Sequence, residues 1–583
     1  MRIVGRKKGF FGFHRKEGTL KRILLPCAGL VCCLLGIVAV CGAQVPMTQQ
    51  PVRDQPELPA YLPEESEKTG EGLELPPAPR VPDAIAGGPA FLLRGVAFRG
   101  NTVFSDDELM EVAEPFLGRE VGLADLEELR YRLTRRYTDG GYVNSGAVLE
   151  AGQRVDDGVV DFTVVEGRLS EIRVSGNGRL RPGYVTSRLW PDTEAPFNTN
   201  LLQERFLLLL QDPLIQRMDG GIRPGADPGE AVLDMNVVRE RPYGLTVAGD
   251  NRRPPSTGSL GGMATAWLRN LTGYGDFLDV SYGASEGASE VDAGWSFLLN
   301  SRDTRLSARY SYSENSVVEE PLKSIDIESE SESFDVTLVH PFYRTLRHNL
   351  EMGAVLSLRE SKTFLLGTPF SFSAGDENGK SRVTVLRLVQ SYVDRTTDHA
   401  LALRSTFSIG LDLLDATVHG GGVPDGKYFA WLGQAQYAHR LGEKLGSLVL
   451  RGDAQLASDR LLTLEQFALG GATTVRGYRE NELVRDNGFD VSAEWRYPLW
   501  RASSEGGSDK LLQAACFMDF GSAWNKGEDP WDNRLHSAGL GLLWESKWLD
   551  AQFYWAYDIE EAPPRQDYDL QDDGIHFRVV FHY

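Results

Sequence analysis

The chain has 583 residues, enough for several domains, and carries 61 Lys and Arg against 82 Asp and Glu, a formal charge of −21. That balance argues against nucleic acid, whose phosphates need clustered cations, and 42% apolar residues exclude a wholly disordered chain. Cys27, Cys32, Cys33 and Cys41 lie near the start and only Cys516 follows, which excludes a disulfide scaffold.

Residues 1–43 read as a signal peptide. Arg2, Arg6, Lys7, Lys8, Arg15, Lys16, Lys21 and Arg22 precede an apolar run from Ile23 to Val40, and Cys41-Gly42-Ala43 offers small residues for cleavage before Gln44. A retained anchor is the alternative; Pro26, Gly29 and Gly36 weaken it as a helix. Residues 44–90 hold ten prolines and read as an extended linker, because proline at that density sustains neither a helix nor a central strand.

Residues 91–166 predict the order β-α-α-β-β. Phe91 to Arg99 alternates as a strand and ends in Gly100-Asn101, a turn signal. Ser105-Asp106-Asp107-Glu108 fits a capping box. Leu109, Val112, Ala113 and Phe116 line one helical face, and Leu123, Leu126, Leu129, Leu133 and Tyr137 line the next. Strands follow over 143–149 and 159–165. Arg130, Arg132, Arg135 and Arg136 read as a solvated face rather than a binding patch. Residues 167–242 repeat the order, with a strand over 169–174 ending in Gly176-Asn177, helices over 181–190 and 201–211, and strands over 215–222 and 231–238. The order, the Gly-Asn turns and the close Val165-Glu166-Gly167 resemble POTRA domains. These are periplasmic modules that take up unfolded polypeptide by strand addition at a sheet edge.

Residues 243–583 alternate as membrane strands. Leu278, Val280, Tyr282 and Ala284 face one way and Phe277, Asp279, Ser281 and Gly283 the other. The same pattern runs through 305–312, 448–455 and 551–558. Sixteen segments are predicted: 243–250, 260–270, 276–284, 290–300, 303–313, 332–341, 348–359, 382–394, 400–412, 427–439, 446–457, 488–499, 511–520, 534–544, 549–558 and 574–583. Short and long connections alternate among most of them, as in outer-membrane barrels, and the parity puts residue 243 and Tyr583 on the periplasmic side. In the last segment Phe581 and Tyr583 face out against His582. The terminal aromatic resembles the signal read by the barrel-assembly machinery.

The connection 458–487 is the sixth of the external loops and is unusually long. It contains Leu469-Gly470-Gly471-Ala472-Thr473-Thr474-Val475-Arg476-Gly477-Tyr478, which resembles the Val-Arg-Gly-Tyr/Phe loop of the BamA and two-partner secretion superfamily. The resemblance implies that the loop folds into the barrel and that Arg476 meets an aspartate on a strand wall. Phe517-Met518-Asp519-Phe520-Gly521 supplies the matching strand, and parity turns Asp519, Glu494 and Arg496 into the lumen. If one pair holds the loop, exchanging the charges of Arg476 and Asp519 should restore part of the function.

Over 91–583 the chain resembles the ShlB/FhaC/HecB-type two-partner secretion transporters (TpsB). The expected fold class is two α+β POTRA domains, 91–166 and 167–242, followed by a 16-stranded antiparallel transmembrane β-barrel over 243–583. The expected function is an outer-membrane pore that secretes a large partner protein, unfolded in transit, in type V secretion. The alternatives are a BamA-like insertase for other outer-membrane proteins and a passive porin. The expected partners are the cargo, lipid and the assembly machinery.

An enzyme is not expected. Gly283-Ala284-Ser285-Glu286-Gly287 matches a nucleophile elbow, but at a hairpin tip rather than a strand-to-helix turn. The nine histidines are scattered without metal-ligand spacing, and no metal or cofactor is expected.

Overall fold

The computed structural model describes residues 56, 58–61, 73–74, 90–153, 155, 157–190, 195–442, 444–502, 510–559 and 567–583. The leader reading of 1–43 and most of the linker lie outside the described residues.

The first small unit is built from β1 (Gly95–Arg99), α1 (Asp106–Ala113), α2 (Leu123–Asp139), β2 (Gly146–Leu149) and β3 (Val159–Val165). The capping box starts α1: the Glu108 amide donates to Ser105 Oγ at 3.3 Å and the Ser105 amide to Glu108 Oε2 at 2.9 Å. Leu109, Leu129, Leu133, Tyr137 and Phe162 close the core between helices and sheet. The expected strand over 91–99 is interrupted. Phe91–Leu92 pairs with Glu120–Val121, Leu93 turns into the core, and Gly95–Arg99 then pairs in parallel with β3.

The second unit repeats the order with β4 (Arg168–Ser175), α3 (Pro182–Leu189), α4 (Thr199–Leu210), β5 (Ile215–Pro224) and β6 (Glu230–Arg239). The Gly-Asn turns do the same work in both units. Gly100 and Gly176 have φ of 82° and 74°, and a Cβ on either would lie 2.6 Å from a carbonyl oxygen, of Val164 or Val237. Asn101 and Asn177 each donate to the carbonyl three residues on, of Phe104 and Leu180. Beside β5, Leu73–Glu74 adds a two-residue parallel strand at Gly220–Gly221, an edge position.

Sixteen antiparallel strands then close a barrel. They are β7 (Tyr243–Asp250), β8 (Gly261–Arg269), β9 (Phe277–Ser285), β10 (Ala288–Leu298), β11 (Arg305–Ser316), β12 (Ile327–Arg344), β13 (His348–Leu365) and β14 (Lys380–Arg395). There follow β15 (His399–Leu411), β16 (Phe429–Arg440), β17 (Ser447–Ala457), β18 (Asn487–Ala502), β19 (Lys510–Trp524), β20 (Arg534–Glu545), β21 (Leu549–Asp558) and β22 (Ile575–His582). Outward Val280, Tyr282, Phe334, Leu338, Leu540 and Trp555 are exposed, while inward Asp279, Ser281, Gln434 and Asp453 are buried. An apolar outside around a polar inside is the arrangement that lipid requires. The second small unit packs on the turns at one end: Arg188 pairs with Asp303 at 2.6 Å, and the Arg181 amide donates to the Gly273 carbonyl at 3.2 Å.

Two features depart from the expected pattern. β12 and β13 run 18 residues each, and at about 3.3 Å per residue that is roughly 60 Å, well past a membrane. On the same side β9 and β10 are joined by Glu286-Gly287 alone, so the external connections are not uniformly long.

Candidate functional site: the sixth loop inside the barrel

Residues 458–486 leave β17 at the end away from the small units and fold back into the barrel. Phe467–Leu469 pairs antiparallel with Leu483–Arg485, making a hairpin whose tip is the glycine-rich motif. Val475, buried with Phe467, Leu469, Tyr478, Ala523 and Leu535, packs the tip against β19 and β20 in a small shared core. Tyr478 reaches past it to donate its hydroxyl to the His536 carbonyl at 3.0 Å.

Arg476 is 1% exposed and has four kinds of partner. Its Nε and Nη2 donate to both oxygens of Asp519, at 2.7 and 2.8 Å, and its own backbone amide donates to the same carboxylate at 3.1 Å. Nη1 donates to Glu494, and Nη2 also to Ser492 Oγ at 3.0 Å. The guanidinium plane lies 3.4 Å from the Phe517 ring centre and 4.6 Å from that of Tyr554. Arg496 completes the group, its Nε donating to Glu494 Oε1 at 2.6 Å. Two guanidiniums and two carboxylates therefore sum to zero charge. A neutral quartet joined by hydrogen bonds is the form in which such groups tolerate desolvation.

Gly477 follows with φ of 96°, and a Cβ there would lie 3.0 Å from that of Ala556. Its amide donates to His576 Nε2 at 3.2 Å. The tip is thus held by β18, β19, β20, β21 and β22 together. Phe581 and Tyr583 stand apart from this site, facing outward on β22 and beyond its end, 56% and 69% exposed.

Parity on single strands placed Asp519, Glu494 and Arg496 inside but did not say which meet. Ser492, Phe517, Tyr554 and His576 were missed because only the register between strands brings them to one point. Arg479 was missed too. Its Nε and Nη1 pair with Asp572 and Glu319, each at 2.6 Å, tying the sixth loop to two other external loops. Neither partner has a sequence signature. Ser285, in the elbow-like pattern, ends β9 and donates to the Thr257 carbonyl at 2.8 Å.

Comparison with known proteins bears on the whole chain. The model of the haemolysin secretion/activation protein family ShlB/FhaC/HecB matches residues 229–543, and that of the ShlB-type POTRA domain matches 91–167. The outer membrane transporter CdiB of Dickeya dadantii is 24% identical, covering 84% of this chain and 87% of that protein. The heme/hemopexin transporter protein HuxB of Haemophilus influenzae is 22% identical, covering 73% and 74%. Among solved structures, CdiB from Escherichia coli superposes with a TM-score of 0.65 at 22% identity, covering 86% of this chain and 93% of that one. The chain therefore belongs to the ShlB/FhaC/HecB family of outer-membrane secretion transporters, with its barrel in the outer membrane, its POTRA domain in the periplasm and a secreted protein as its partner.

Proposed function

We propose that the sixth loop is a movable element of the translocation pore and that Arg476 holds it in the resting position. The observation that carries this reading is the Arg476 cluster. The guanidinium is fully engaged, yet every partner lies on the barrel wall and none on the loop. Arg476 is thus the charged fastening of a tip that Gly477, Tyr478 and Arg479 also tie to the wall and to neighbouring loops. Asp519, Glu494 and Arg496 form the wall side of the fastening, with Val475, Gly477 and Tyr478 shaping the tip.

Residues 167–242 act as a second POTRA domain, on the strength of the repeated order and turns. A large cargo arrives unfolded and pairs with an exposed POTRA edge, then threads the lumen. Folding outside gives the direction, since the periplasm supplies no nucleotide. Residues 1–43 direct export and are removed. Phe581 and Tyr583 present the barrel to the assembly machinery, and the protein is a conduit rather than an enzyme.

The test is Arg476→Ala. The barrel should still assemble, seen as heat-modifiable migration on gels, while the partner protein in the medium falls sharply. Normal secretion by this variant would sink the anchoring reading. Strand capture has its own test. Proline at a position of β2 or β4 whose amide has no partner within the domain, which excludes Ala147 with its bond to Thr134 Oγ1, removes a donor only from an added strand. Export should fall while the barrel assembles normally.

A further inference from the structure

Alternation makes the lumen face of this barrel largely polar, and one apolar patch away from the Arg476 site breaks that rule. Val383 and Val385 on β14, Ala430 on β16 with Tyr428 just before it, and Ala457 at the end of β17 are buried together. They are covered by Leu461, Leu462 and Leu464, among the first residues of the sixth loop. Eight largely apolar side chains facing one another inside a polar lumen form a docking pad, because each would otherwise be hydrated.

Next to the pad sits Glu465, with a side chain 8% exposed. Arg387 on β14 reaches both of its oxygens, at 2.7 and 2.6 Å, and Arg359 on β13 reaches one at 3.3 Å. The Glu465 carbonyl also accepts from Gln455 Nε2 on β17 at 3.0 Å. These strands differ from those that hold Arg476. Glu465, its two arginines and Leu464 also line the open part of the lumen, a cavity of about 930 Å³.

We propose that Glu465 is the positioning residue of a second dock, which fixes residues 461–466 against β13, β14, β16 and β17 independently of Arg476. The proposal rests on reading the sixth loop as a movable element, and it deepens that reading. Loss of Arg476 loosens the tip but leaves the first limb on the wall, beside the cavity that cargo must use. Full clearance of the lumen requires both docks to open.

Hydrogen exchange on the full-length protein in micelles tests this, with the barrel checked by heat-modifiable migration. Glu465→Gln should speed exchange over 461–466 by at least about tenfold and leave 470–478 near its wild-type rate. Arg476→Ala should do the reverse. Glu465→Asp keeps the charge and should return part of the protection. Wild-type protection of 461–466 in Glu465→Gln overturns the proposal. So does release of both segments by either change, since the docks are then one. Arg387→Gln serves as a second variant from the wall side. If neither it nor Glu465→Gln yields a folded barrel, the cluster is a folding requirement and the proposal falls. Normal secretion by Arg476→Ala would defeat the anchoring reading without altering the exchange result at 461–466.

Discussion

Each of the three guanidinium nitrogens of Arg476 donates to the barrel wall, and that sets what substitutions there should do. Removing it leaves Asp519 and Glu494 facing each other across a dry pocket. Breaking a buried pair costs about 3–5 kcal/mol, and here Asp519 loses its ion-pair partner while Glu494 keeps only Arg496. Lys at 476 restores one charge but neither the two-oxygen contact with Asp519 nor the stacking on Phe517. Arg476→Lys should therefore secrete less than wild type and more than Arg476→Ala, measured as partner protein in the medium at equal barrel levels. A single-pair picture made the double exchange Arg476→Asp with Asp519→Arg a rescue. The structure reverses that expectation, because an aspartate at 476 would meet Glu494, and the 476 amide would lose its acceptor. The exchange should be no better than Arg476→Ala; recovery in it would show that Glu494 contributes little. The motif and the inward parity of Asp519 were legible in the sequence, since both are local. Parity also puts Glu494 and Arg496 with the anchor, but the contact of Glu494 with Arg476 was not legible, because it depends on β18 standing beside β19 in one register.

Whole elements were legible where alternation carries a hydropathy difference. β7 and β21 begin and end where the pattern does. β12 begins at Ile327, earlier than the pattern shows, because Glu328-Ser329-Glu330-Ser331-Glu332-Ser333 alternates without any apolar residue. That stretch is a strand through its pairing with β11 and β13, an interaction beyond the reach of local sequence. The acidic close of the first unit is similarly non-local. Glu166 accepts from the Thr102 amide at 2.7 Å, the Val103 amide at 2.8 Å and the Tyr137 hydroxyl at 3.0 Å, so one carboxylate joins the Gly-Asn turn to the end of α2. Burial pushes its carboxyl up, but the hydrogen bonds from Thr102, Val103 and Tyr137 outweigh that and hold it below the usual 4.5. A depressed carboxylate stabilises the fold above its unfolded value and loses that contribution as pH falls through the folded value. Glu166→Gln should therefore weaken exchange protection of the 102–103 amides at pH 7. The difference between variant and wild type should shrink once the pH drops well below 4.5. A gap that stays constant with pH would mean the charge is not what holds the turn.

For the molecule as a whole, the critical line is the seam where the last strand meets the first. Its ladder is short, running from Thr246–His582 to Asp250–Arg578. Side chains extend it at the outer end. Asn251 donates to the Ile575 carbonyl and accepts from the Phe577 amide, both at 2.8 Å, and Gln571 donates to the Asn251 and Arg253 carbonyls at 2.6 and 2.8 Å. At the other end the Tyr583 amide donates to the Leu245 carbonyl at 2.8 Å, and the Tyr583 carbonyl accepts from the Leu245 amide at 3.1 Å. Deleting 581–583 therefore removes part of the closing ladder as well as the terminal aromatic, and its failure to assemble would have two explanations. Phe581→Ala with Tyr583→Ala separates them, because the backbone bonds remain and both side chains are exposed. If the aromatics are an address for the assembly machinery, this variant should refold in detergent micelles as wild type does and accumulate poorly in the outer membrane of cells. The truncation should fail in both settings. Refolding that fails equally for the double alanine variant would assign the aromatics to closing the barrel, and full accumulation in cells would remove them from the address.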